Sequence, residues 1–208
     1  MRSRALILIA SVAIQPTLCE GADFLWAEQP PASAVSSATG LVRGMQEWGL
    51  LAGGGFAHHI WGGRADRQFL AFGARMGRVL SQTVGTGLFR GNFEVALDVI
   101  PVFVMFQEQT TYAFSFTLLF RHYLAPERRL RPYVSFGAGT LISTRDIPPG
   151  TTRLNFTPQA GLGLAYFVKP RLAYLTEYRI HHISNAGLAS PNPGVNSSYL
   201  QFGVSIFR

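Results

Sequence analysis

The sequence predicts an all-β protein: an eight-stranded antiparallel transmembrane β-barrel preceded by a signal peptide. Three observations carry this. From residue 46 onward apolar residues recur with period two, in segments long enough to cross a bilayer as tilted strands. Along these segments the large apolar residues share one face, while the other holds small residues and isolated charges. A barrel with lipid outside and its own side chains filling the lumen shows this pattern. Only 14% of the chain is charged, against about 25% in an ordinary soluble domain, and residues 46–208 contain no apolar run of the length a membrane helix needs.

Three regions follow: a signal peptide over 1–22, an irregular lead-in over 23–45, and the barrel over 46–208. Arg2 and Arg4 precede the apolar run Ala5 to Ile14, a charged segment followed by a signal-length hydrophobic one. Cleavage is expected between Cys19 and Ala27. The lead-in carries Pro30 and Pro31 and is expected to hold a short helix near Ser37 to Met45. The single cysteine, Cys19, excludes an intrachain disulfide and a cysteine-based metal site.

The predicted strands span 46–60, 67–80, 92–106, 111–124, 131–143, 153–168, 171–184 and 197–207. In the first, the parity is open. In the third, Phe93, Val95, Leu97 and Val99 oppose Glu94, Ala96 and Asp98. In the fourth, Tyr112, Phe114, Phe116, Leu118, Phe120 and His122 oppose Ala113, Ser115, Thr117, Leu119 and Arg121. The sixth sets Leu162, Leu164 and Tyr166 against Gly161, Gly163 and Ala165. In the seventh, Tyr174, Tyr178 and Ile180 oppose Ala173, Glu177, Arg179 and His181. Turn residues separate the segments, among them Gly62-Gly63, Pro148-Pro149-Gly150 and Lys169-Pro170. Pro101 and Pro158 lie inside strands and predict a bulge or bend. The lumen charges Arg75, Glu94, Asp98, Arg121, Glu177 and Arg179 must pair with one another. Trp48, Trp61, Tyr112 and Tyr123 lie near strand ends and suit interfacial belts.

Net charge is +7, but the arginines are scattered and form no basic stripe. This speaks against nucleic acid and suits a surface that meets phosphorylated glycolipid. An even strand number puts both termini at one end, expected to be the periplasmic one, so the loop after the seventh strand faces the cell exterior. The expected location is the cell outer membrane.

His182 and Ser184, two apart on the seventh strand, project from one face. By parity that face looks at lipid, where polar groups are costly and point to function. An imidazole beside a hydroxyl is the basic pair of nucleophilic acyl transfer; set at the strand's end, the same pair also suits simple contact with lipid phosphate. Asn185 and Asn192 are candidates to hold an oxyanion. His58 and His59 are adjacent on a strand, point to opposite faces and cannot share a metal ion.

The segment Glu177 to Asn196, EYRIHHISNAGLASPNPGVN, resembles the C-terminal signature of the lipid A 3-O-deacylase family, in its H-x-S-N-A-G and N-P-G elements. The resemblance implies an eight-stranded outer-membrane barrel that removes the 3-O acyl chain of lipid A. It implies His182 as base, Ser184 as nucleophile, and Asn185 and Asn192 near the oxyanion. One position departs: the family pattern has a Glu shortly after the N-P-G turn, orienting the His, and here Asn196 stands there. An Asn can still fix an imidazole tautomer, without the charge. The implied partner is lipopolysaccharide in the outer leaflet, with a homodimer as a further option. No metal or cofactor is called for. The alternative is a non-catalytic barrel of the same ancestry that binds lipopolysaccharide or has a structural role.

Overall fold

A computed structural model describes residues 40–59 and 65–208. The expected signal peptide, Trp61, Gly62-Gly63 and the expected lead-in up to residue 39 lie outside the described residues. The elements are β1 (Gln46–His58), β2 (Gln68–Val79), a short 3-10 turn (Gly87–Phe89), β3 (Gly91–Phe106), β4 (Thr111–Leu124), β5 (Leu130–Ser143), β6 (Leu154–Phe156), β7 (Gln159–Lys169), β8 (Leu172–Ile183) and β9 (Val195–Phe207). Strands adjacent in the chain pair antiparallel, β6 and β7 excepted; β1 pairs with β9, and the pairing of β4 with β5 closes the cylinder. β6 and β7 both pair with β5 and act as one barrel strand, so the barrel has eight.

The two prolines explain the irregularities. Pro158 sits between β6 and β7, where its missing N–H interrupts the ladder. Pro101 lies in β3 where the register with β4 shifts between Ile100 and Phe103, a bulge.

The faces follow the alternation. Leu50, Phe72, Phe116, Phe136, Leu162, Tyr174 and Phe202 are exposed on the outer wall. The lumen is filled in three layers. Toward the end that holds the C-terminus lie Leu41, Val79, Tyr123, Tyr133, Phe167 and Phe207. Toward the other lie Phe69, Phe103, Met105, Leu141, Ile147, Ile183 and Val195. Between them runs a buried charged belt. Arg75 grips Asp98 through two bonds of 2.6 and 2.7 Å. Arg179 reaches Glu177 at 2.8 Å and Asp98 at 3.1 Å. Arg121 pairs with Glu94 at 2.6 Å and with Glu47. Charges taken from water this way hold only when so paired, and leaving one partner alone is what costs most. Small lumen residues make room for the large ones: a Cβ on Gly163 would run into the Tyr133 ring.

Two expectations change, and one open parity is settled. Tyr123 is fully buried in the lumen, because it shares parity with Arg121 and not with the outer face of β4; Trp48 and Tyr112 do lie outside. Residues 40–45 form no helix. They run extended with a turn at Arg43-Gly44, held by Gly44 N–H donating to the Val79 carbonyl at 2.8 Å, and Leu41 is buried in the barrel's end. Glu47, left unassigned by the open parity of the first strand, faces inward.

Candidate active site

The site lies at the end of β8 on the outer wall. His181 points inward and is buried beside Tyr199 and Phe69. His182, the next residue, therefore falls on the outer face with Ile180 and Ser184. Its main chain is held by its N–H donating to the Pro158 carbonyl at 3.1 Å, so the break at Pro158 still ties the two strands together. Ser184 is clamped to β6: its N–H donates to the Phe156 carbonyl at 3.1 Å, and its carbonyl accepts from the Phe156 N–H at 2.7 Å.

Asn196 stands opposite His182 in the β8–β9 register. Its Oδ1 lies 2.6 Å from His182 Nδ1. A carboxamide oxygen can only accept, so Nδ1 carries the proton and Nε2 is left as the acceptor. Among the described residues no hydrogen bond joins the Ser184 hydroxyl to His182.

Asn185 and Asn192 meet, but by their loop-forming groups. Asn192 Oδ1 accepts from the Asn185 N–H at 3.1 Å. The Asn185 carboxamide is spent within the loop: Nδ2 donates to Ala189 O at 3.0 Å, and Oδ1 accepts from Gly187 N–H at 2.9 Å. Asn185 is almost fully buried and braces the turn, while exposed Asn192 has its Nδ2 turned from that bond.

The sequence reading missed Gly194 as a neighbour of the imidazole. It adopts φ +66°, and a Cβ there would lie 2.9 Å from His182 Cε1. Backbone at this position thus covers the ring at a distance that excludes any side chain. Its place in N-P-G suggested a turn; only the fold brings the turn over His182.

An apolar groove of about 830 Å³ opens on the outer wall and ends at His182 and Asn196. Its floor is made of Ala138, Pro158 and Ala160, and Phe120, Phe136 and Ile180 form its sides. Small residues in cross-strand register between large ones, Phe136 against Ala160 and Ala160 against Ile180, produce the depression. Its volume and largely apolar lining suit a hydrocarbon chain.

The model of the family described as lipid A 3-O-deacylase (PagL) matches residues 68–205, from β2 through most of β9. The chain belongs to that family. The outer-membrane enzyme PagL is 20% identical, with 76% of this chain and 97% of that one covered and a TM-score of 0.51. The N-terminal β-barrel domain of Pseudomonas aeruginosa OprF is 16% identical, with 80% and 100% covered and a TM-score of 0.52. These likenesses show the shared barrel fold. No curated protein matches the chain. Family and barrel together make this a protein of the cell outer membrane.

Proposed function

We propose that this barrel hydrolyses the ester of the 3-O acyl chain of lipid A, with His182 and Ser184 as the reacting side chains. The observation that carries the reading is the His182–Asn196 bond of 2.6 Å at the mouth of an apolar groove on the lipid-facing wall. The acyl chain lies in the groove, which brings its ester to the imidazole. Nε2 takes the proton of Ser184 Oγ as that oxygen bonds to the carbonyl carbon. The carbonyl oxygen becomes an oxyanion beside Asn192 Nδ2. The bond to the sugar oxygen then breaks, and His182 returns the proton to that oxygen. Water attacks the acyl-serine by the same route and releases the fatty acid. The His182–Ser184 contact forms with substrate bound, as catalytic hydrogen bonds commonly do. Asn196 is the positioning residue: it fixes the tautomer and supports the imidazolium through a neutral acceptor.

The test is the mass spectrum of lipid A from cells expressing the wild-type protein or Ser184→Ala. Loss of one 3-O-linked acyl chain with the wild type alone is expected. Identical spectra would leave the second reading, a lipopolysaccharide-binding barrel without turnover, which the absence of a His182–Ser184 bond among the described residues and the neutral Asn196 favour.

A further inference from the structure

Beside the groove lies a polar cluster that the proposed reaction does not use. Ser198 Oγ sits 2.7 Å from His58 Nε2 and 2.6 Å from the Tyr178 hydroxyl. Three strands supply these groups: β1, β9 and β8. All belong to the outer wall, since His58 pairs in register with Asn196, and Ser198 pairs with Ile180 and Phe56.

The register also gives the placement. One cross-strand row runs His182, Asn196, His58, and the next runs Ile180, Ser198, Phe56. With strands about 4.8 Å apart, His58 stands roughly 10 Å from His182 across β9. Ser198 lies one row, about 7 Å, further along the wall toward the middle of the barrel. His58 lies across β9 from His182, away from the groove, and Tyr178 reaches Ser198 from β8, the strand that carries the groove residue Ile180.

Three polar groups on a wall otherwise lined by Phe56, Ile180 and Leu200 are costly in lipid. Apolar residues at these positions would carry no such penalty. Their chemistry narrows what they meet. Among the described residues the hydrogen-bonded groups are two hydroxyls and an imidazole, with no arginine or lysine, the side chains that most often hold phosphate. A neutral group that both donates and accepts is the better match. Capacity remains for one: among the described residues the second ring nitrogen of His58 makes no hydrogen bond, and Tyr178 is 48% exposed.

We propose that His58, Ser198 and Tyr178 form a second subsite, which binds the neutral amide linkage of the neighbouring acyl chain on the sugar whose ester reaches His182. This rests on the deacylase reading and adds to it the group that registers the substrate. The glycolipid straddles β9, one chain in the groove and the next descending past Ser198. The three residues position the substrate and do not react.

The experiment measures binding, so that it reads out even if turnover is absent. Purified Ser184→Ala protein in micelles is titrated with lipid A, and compared with the same protein carrying Ser198→Ala, His58→Phe or Tyr178→Phe. Loss of one or two hydrogen bonds predicts a Kd raised about tenfold. The same ratio is expected with dephosphorylated lipid A, and no change with phosphatidylglycerol, which has no amide. In the Ser184-containing protein the same three changes raise KM and leave kcat. Retained heat-modifiable migration in gels shows that each variant is folded. An unchanged Kd, a ratio that disappears on dephosphorylation, an equal loss for phosphatidylglycerol, or no saturable binding of lipid A would each overturn the subsite. An active wild type with unaltered Kd in the variants defeats only the subsite. An inactive wild type with weakened variants defeats only the hydrolase.

Discussion

Asn196→Asp changes the charge beside His182 and little else. The side chains are the same length, so the 2.6 Å contact with Nδ1 can be kept. As Ser184 loses its proton the imidazole becomes a cation, and the bond to Asn196 becomes charge-assisted, a class worth about 1.5–3 kcal/mol. Removing it in Asn196→Ala therefore predicts kcat lower by about 10- to 150-fold, at about 1.4 kcal/mol per decade. A carboxylate adds attraction between full charges. At roughly 4 Å and an effective dielectric of about 20 this is at most about 4 kcal/mol. Solvent near the rim and the cost of desolvating the carboxylate take most of it, so Asn196→Asp is expected to be about tenfold faster than wild type. The assay is fatty-acid release from lipid A in micelles, with ¹⁵N shifts of the His182 ring to report its tautomer. Asn196→Ala within twofold of wild type, or Asn196→Asp slower than wild type, would refute the role given to this residue.

Three further outcomes are expected. Gly194→Ala puts a methyl 2.9 Å from His182 Cε1 at φ +66°; kcat should fall at least about tenfold with little change in thermal unfolding, and full activity would show that the loop does not set the ring. Ala160→Phe fills the groove floor; KM should rise for long-chain esters and not for a short-chain ester, and equal effects on both would remove the groove from substrate binding. Arg179→Met strips Glu177, Asp98, Gln159 and Gln201 of a shared cation; urea unfolding in micelles should show a loss of about 3–5 kcal/mol, and a loss under about 1 kcal/mol would mean the belt is not what holds the lumen.

Much of this protein is local geometry and could be read along the chain. Side chains alternate across a strand because of backbone stereochemistry alone. So the eight segments, the outward row through Tyr174, Tyr178 and Ile180 to His182, and the inward Glu177 and Arg179 followed from residue order. The same rule already placed Tyr123 inside, and its aromatic character at a strand end pointed the wrong way. Parity failed only where side chains were too few to show it. Gly53, Gly54 and Gly55 leave β1 without a pattern at its centre, and Glu47 went unassigned with it.

What the tertiary structure decided is which strands stand beside each other and in what register. His58 and Ser198 are 140 residues apart, and closure of β1 on β9 alone makes them neighbours. The resemblance pointed to Asn196, but Asn196 faces His182 because a long loop sets the register of β9, and no repeat in the chain encodes that offset. The groove is likewise a cross-strand property: Ala138, Pro158 and Ala160 lie on different stretches of chain and form a channel only side by side. Alternation is a covalent constraint acting over two residues, whereas pairing partners are chosen by the free energy of the whole closed sheet. The wall each side chain faces was therefore written in the chain, and the company it keeps there was not.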